Sequence, residues 1–182
     1  MWPGAGGQGG QISKPHEPPY VAGFRAGLGI AYQEWLPFRN AFLIRVLEAV
    51  LASYVVKREA VTLADIGLPQ QVALFERIAD HLGYAPPVVE SNDILADPKA
   101  MLIALCTACG IAFDPAMLVW PKGRRATDGV WAPAWYDKVE LSTAFGQPRV
   151  EASFADLPDR LKPIAEQARP LYERLFATRL RG

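Results

Sequence analysis

Cysteine is scarce in this chain: Cys106 and Cys109 are the only two among 182 residues. Two are too few for a disulfide framework, and such usage fits a reducing compartment. Charge of one sign is also missing. Lys+Arg and Asp+Glu each total 19, so no net charge draws the chain to nucleic acid or to an anionic membrane surface, and any anion site has to be a local cluster. No apolar run approaches the ~18 residues of a membrane-spanning helix, and the start of the chain lacks a charged-then-apolar signal pattern. Histidine is rare as well. His16 and His81 stand at no usual ligand spacing from the cysteines, so no metal site is expected. These absences describe a soluble, cytoplasmic protein with neither nucleic acid nor membrane as partner.

What is present suffices for one domain. Apolar residues make up 51% of the chain, enough to build a core at this length. They are unevenly placed. Residues 1–37 hold eight of the 15 glycines, between Gly4 and Gly29, with Pro15, Pro18 and Pro19 crowded together. That stretch shows neither a helical nor a strand period and is expected to be irregular. A second unit, 38–182, carries the patterned sequence.

In that unit Ala41-Phe42-Leu43-Ile44 is short and continuously apolar, as in a strand buried on both faces of a parallel sheet. Leu47, Val50, Leu51, Tyr54 and Val55 then mark a helical face closed by Lys57, Arg58 and Glu59. Leu68-Pro69 opens a second helix, with proline where its missing N–H is harmless, and Gly83 can end it. Pro86-Pro87-Val88-Val89 reads as a second strand. Asp97-Pro98 is a helix start, with Met101, Leu102, Leu105 and Cys109 as the buried stripe and Gly110 as the stop. Residues 121–145 read as a long aromatic and basic loop. The final helical region, about 157–180, is expected to bend at Pro163 and Pro170. Strands alternating with helices imply an α/β fold, a three-layer parallel sheet with ligands beyond the carboxyl ends of the strands. Arg45 lies at such an end.

Two motifs fail their structural context. Gly4-Ala5-Gly6-Gly7-Gln8-Gly9 fits G-x-G-x-x-G, but no strand precedes it to place a helix N-terminus on a pyrophosphate. Cys106-Thr107-Ala108-Cys109 has C-x-x-C spacing at the C-terminal end of its helix, where the dipole does not favour a thiolate. Small core residues are the better reading. His81, beside Asp80 on the mostly polar side of its helix, reads as a solvated or capping side chain.

Four segments together resemble the P-loop sulfotransferases. Phe42-Leu43-Ile44-Arg45 followed by Val50-Leu51-Ala52-Ser53-Tyr54 is similar to that family's strand-end Arg and helical Ser. The resemblance implies that Arg45 and Ser53 hold the 3′-phosphate of the sulfuryl donor 3′-phosphoadenosine 5′-phosphosulfate (PAPS). A guanidinium fork and a hydroxyl suit such a group. Val88-Val89-Glu90-Ser91-Asn92-Asp93 through Asp97-Pro98 resembles the family's short strand, acidic turn and Asp-Pro helix start, with Ser91 where many relatives have a Tyr near the adenine. Gly110-Ile111-Ala112-Phe113-Asp114-Pro115 is a common sequel. Trp120-Pro121-Lys122-Gly123-Arg124-Arg125 is similar to the basic-glycine loop that closes over the 3′-phosphate, which implies donor contacts from Lys122, Gly123, Arg124 and Arg125. The fourth segment is closest to a bacterial and plant branch whose members carry sulfotransferase-like or branched-chain-aminotransferase-like names.

The resemblance therefore implies a P-loop-type three-layer sheet, PAPS or its product PAP as co-substrate without a metal, and a small-molecule hydroxyl or amine acceptor. It covers about residues 38–180 and leaves the fold incomplete at the N-terminus. The family's first strand, its phosphate-binding loop and the Lys/His-rich segment expected to supply the catalytic acid/base are not legible here, so no catalytic residue is assigned. A PAP-binding remnant without activity and a helical interaction module, hinted at by Arg169, Arg174, Arg179 and Arg181, are the other readings. Where the family has Arg-Asp-Pro-Arg, this chain has Arg45-Val46-Leu47-Glu48. A local shift of reading frame is one origin for both departures: codons for residues 15–21 read one base on give a His-rich run, and Arg-Asp-Pro-Arg codons short of one base give Arg-Val-Leu-Glu.

Overall fold

A computed structural model of the chain describes residues 38–55, 60–128, 136–148 and 153–182. The expected irregular segment 1–37, the Gly4–Gly9 motif, His16 and the helix-closing Lys57, Arg58 and Glu59 lie outside the described residues. Strand β1, Phe42–Ile44, leads within two residues into helix α1, Leu47–Val55. Helix α2, Leu68–Leu82, returns the chain to β2, Val88–Glu90. Two further helices follow directly, α3 at Ser91–Ala96 and α4 at Pro98–Cys109. A 3₁₀ turn at Pro115–Leu118, a short helix α5 at Asp137–Glu140 and the long helix α6, Lys162–Ala177, complete the order.

The two strands pair in parallel, with Phe42 opposite Val88 and Ile44 opposite Glu90. After α6 the chain comes back beside β2. Arg179 bridges Val88 in parallel sense and the Leu180 N–H donates to the Val88 carbonyl at 2.8 Å. The mixed α/β class and the strand–helix alternation are thus present. The three-layer sheet is not what the described residues display: among them the sheet has two strands.

Local sequence accounts for the element ends. Asp97 caps α4, its carboxylate accepting from the Ala100 N–H at 2.9 Å. Pro98 at the first helical position loses nothing by lacking a donor. Gly110 stops α4 at φ +63, a left-handed value that suits glycine, and the Arg39 guanidinium packs closely against the place a Cβ would take. Pro163 falls in the first turn of α6, which accounts for a helix that begins at Lys162 rather than near residue 157. Pro170 is carried inside that helix without ending it.

Burial corrects one expectation about β1. Phe42 and Ile44 are buried against α2 and α6, with the Phe42 and Phe75 rings edge to face at 5.4 Å. Leu43 between them is 58% exposed. Its register partner Val89, on the same face of the sheet, is buried. That face is covered at β2 and open at β1. The expected α4 stripe is also rotated. Met101 and Cys106 are its buried residues, while Leu102, Leu105 and Cys109 are half-buried. A second apolar cluster joins Leu51 of α1 to Leu157, Leu161 and Ala165 near the start of α6.

Leu47 and Glu48, at the position where the family pattern differs, are built into the core. Leu47 is 2% exposed, and the buried carboxylate of Glu48 accepts from the Arg169 guanidinium on α6. Removing one member of a buried pair strands the other charge away from water. Arg169 is 40% exposed, so Arg169→Ala is expected to cost about 2–3 kcal/mol, below the range for a fully buried pair. Arg174→Ala, which breaks the more exposed pair with Glu76, is expected to cost about 0–1 kcal/mol. Urea unfolding of both variants checks the order; equal losses would contradict the role given to Glu48.

Candidate functional site

β1 ends where β2 ends, because the pairing is parallel and in register. Arg45 follows β1 and Ser91 follows β2, so the two emerge at the same edge of the sheet. There a cavity of about 380 Å³ opens, walled by Leu43, Ile44, Leu47, Val50, Ile66 and Leu68. Its polar side chains are Arg45, Gln71 and Ser91. Arg45 is half-buried.

Helix α2 points its N-terminus at the same space. Gly67, the residue before the helix, and Leu68 both line the cavity. Gly67 adopts φ +73 and offers no side-chain cap to the first-turn N–H groups. A 15-residue helix carries partial positive charge at that end, which adds to the charge of Arg45. Gln71, one turn in, donates from Nε2 to the Leu43 carbonyl at 2.8 Å and holds the helix against β1.

On the β2 side a buried carboxylate organises the next turn. Glu90 is 3% exposed, and its Oε2 accepts from the N–H groups of Asn92 at 2.7 Å and Asp93 at 3.2 Å. Ser91 Oγ donates to its Oε1 at 3.0 Å. Glu90 therefore caps α3 and orients Ser91 at the cavity edge. Behind it, Arg179 donates from Nε to Asp93 at 2.8 Å and lies 3.6 Å from the Phe176 ring centre. Sulfotransferase-like donor sites were expected at Arg45, and it lies in this cavity; Ser53 does not line it. Ser53 is exposed on α1, toward the helix's far end.

Lys122, Gly123, Arg124 and Arg125 form an exposed turn that also does not line the cavity. The turn is shaped locally. The Gly123 N–H, at φ +109, donates to the Glu140 carbonyl at 2.8 Å, and the Arg125 N–H donates to Asp128 at 2.8 Å. An antiparallel bridge between Val119 and Ala144 closes its base, with Trp120 packed edge to face on Phe145 at 5.3 Å. The expected long loop thus has a closed stem and a helical turn; residues 129–135 of it lie outside the described residues. Gln71 was not anticipated from sequence. The signal for it is the Leu68-Pro69 helix start, because a helix beginning near a strand's carboxyl end aims its first turn at the ligand side of the sheet.

The arrangement defines an α/β protein with an apolar-walled cavity at the carboxyl ends of parallel strands, lined by Arg45 and the start of α2. Residues 34–178 match the sulfotransferase domain family, and the chain belongs to it. It is 32% identical over 108 residues to the Branched-chain-amino-acid aminotransferase-like protein 2 of Arabidopsis thaliana, a match covering 59% of this chain and 19% of that protein. Protein 1 of the same name and organism is 33% identical over 105 residues, covering 55% and 19%. The chain therefore spans about a fifth of the length of these relatives. No solved structure matches. Among the described residues no helix is long and apolar enough to cross a membrane.

Tyr172 of α6 faces this carboxylate-rich interior. Burial, then the nearby Glu90, push its hydroxyl up to about 12, with Arg179 opposing. A raised acid holds its proton more tightly in the folded chain than in the unfolded one. The stability it confers is therefore complete below its ordinary value of 10.0 and is lost as pH rises toward about 12. Stability measured by urea unfolding across that alkaline window should fall less steeply for Tyr172→Phe than for the wild type. Parallel pH profiles would contradict the assignment.

Proposed function

We propose that this chain binds a 3′-phosphorylated adenosine nucleotide, PAP or PAPS, through Arg45, and does not itself transfer the sulfuryl group. The observation that carries this reading is Arg45 at the carboxyl end of β1, in a cavity that also receives the α2 N-terminus. A guanidinium beside uncapped N–H groups favours a phosphate over any neutral group. The apolar walls suit a flat base or sugar. In the family the reaction passes a sulfuryl group from PAPS to an acceptor hydroxyl or amine, a transfer governed by positioning and by stabilisation of developing charge.

The binding-only reading is supported by what lines the cavity. Among the described residues, the polar side chains that line it, Arg45, Gln71 and Ser91, include no His, Asp, Glu, Lys, Tyr or Cys, the groups that usually take up and return a proton during catalysis. Ser53 and the Lys122–Arg125 turn are proposed to reach the donor phosphate from outside the cavity wall. The alternative of a helical interaction module loses its main hint. Arg169, Arg174 and Arg179 are each paired with a carboxylate of the same chain, Glu48, Glu76 and Asp93. Both cysteines are free thiols, in keeping with a reducing, cytoplasmic setting.

Calorimetric titration with PAP is expected to show binding that Arg45→Ala weakens roughly tenfold or more, the loss of a charge-assisted hydrogen bond. Adenosine 5′-monophosphate, which lacks the 3′-phosphate, is expected to bind more weakly and to be little affected by that substitution. Equal affinity for the two nucleotides would overturn the phosphate assignment. Turnover of PAPS with a hydroxyl acceptor, abolished by Arg45→Ala, would overturn the non-catalytic half.

A further inference from the structure

Helix α4 ends in Cys106-Thr107-Ala108-Cys109, a run that takes no part in the cavity. Cysteines three positions apart on a helix share a face, with Cβ atoms about 5–6 Å apart. Both are free thiols; Cys106 is 4% exposed and Cys109 is half-buried. A third sulfur comes from the following 3₁₀ turn, where Met117 Sδ lies 3.9 Å from Cys106 Sγ. Met117 is 38% exposed, so the group meets solvent through Met117 and Cys109. The described residues contain no cluster of three His, Cys, Asp or Glu side chains. This donor set is therefore two thiols and a thioether.

All-sulfur donors discriminate strongly among cations. Magnesium and calcium require oxygen ligands, and structural zinc requires four nitrogen or sulfur ligands. Thiolate and thioether together favour the soft cuprous ion, which accepts low coordination numbers. We propose that Cys106, Cys109 and Met117 form a site for a soft monovalent cation of the cuprous type, with the cysteines as thiolate ligands and Met117 as a weaker third.

On binding, each cysteine exchanges its S–H bond for a sulfur–metal bond and releases the proton to solvent; no electron changes hands. Two thiolates and one monovalent cation leave a single negative charge. The Arg39 guanidinium packs beside Gly110, the residue after Cys109, with Nη1 3.1 Å from where a Cβ would be, and its charge acts on the Cys109 thiol. In the metal-free chain, burial and the neighbouring Cys106 raise the Cys109 thiol above its usual range, while Arg39 opposes them. Binding a cation displaces the thiol protons, as metal binding at cysteine generally requires. A redox pair wants the reverse, a thiolate already stabilised at a helix N-terminus. This site does not depend on the nucleotide reading.

The test uses the full chain, reduced and under anaerobic conditions, titrated with cuprous ion in competition with bathocuproine disulfonate. The wild type is expected to withhold a single equivalent from the chelator, and Cys109→Ser to surrender it. Met117→Leu, which keeps the bulk, is expected to weaken retention by about tenfold or more. Circular dichroism confirms that each variant is folded. Cys109→Ser carries the test if the buried Cys106→Ser fails to fold. Copper lost by the wild type as readily as by a thiol-blocked sample, or retained equally by Cys109→Ser, would overturn the site. Wild-type affinity in Met117→Leu would overturn the three-sulfur assignment.

Discussion

Parallel, in-register pairing of Phe42–Ile44 with Val88–Glu90 brings both strands to their carboxyl ends at one level. From that constraint the cavity follows. Arg45 and Ser91 are each the first residue beyond their strand, so register alone makes them neighbours across the sheet edge. A slip of one residue would send Phe42 and Ile44 to the open face and bring Leu43 into the core. The apolar contacts of Phe42 and Ile44 with α2 and α6 oppose that slip, and Gln71 reinforces them by bonding the Leu43 carbonyl.

Two carboxylates sit inside this framework, and each is neutralised in a different way. Glu48 meets a guanidinium from α6, which ties the first helix after β1 to the last helix of the chain. Glu90 has no salt-bridge partner among the described residues; backbone N–H groups and the Ser91 hydroxyl donate to it instead. A buried carboxylate left without such partners would be costly. Satisfied, Glu90 fixes where α3 begins and which way Ser91 faces. Arg179 closes the other side by holding Asp93 and returning the chain to β2. Arg169 of α6 and Arg179 just beyond it thus tie the end of the chain to the elements around the sheet.

The apolar surface is uneven in a way the sheet explains. β2 is covered on both faces and β1 on one, which leaves Leu43 open. Ile111 and Val119, beyond the end of α4, are exposed as well. Membership of the sulfotransferase domain family and coverage of about a fifth of the curated relatives are compatible with this sheet, since strand pairing and burial are properties of the described residues alone.

The sequence by itself determined where α2 and α4 begin and end. Asp97-Pro98, Leu68-Pro69, Gly83 and Gly110 are local signals, set by missing donors, side-chain caps and left-handed φ values, and they need no tertiary partner to be read. It also determined Arg45 as a strand-end cation, because a short apolar run followed by Arg is a local pattern. Tertiary structure decided which face of β1 is buried, since Phe42, Leu43 and Ile44 are all apolar and composition cannot tell inside from outside. It decided that Gln71 belongs beside Arg45 and that Ser53 does not line the same cavity, because helix direction and rotation are set by packing against the sheet. It also decided that Met117 joins Cys106: eleven residues and a helix stop separate them in sequence, and only the turn after Gly110 brings the sulfurs together.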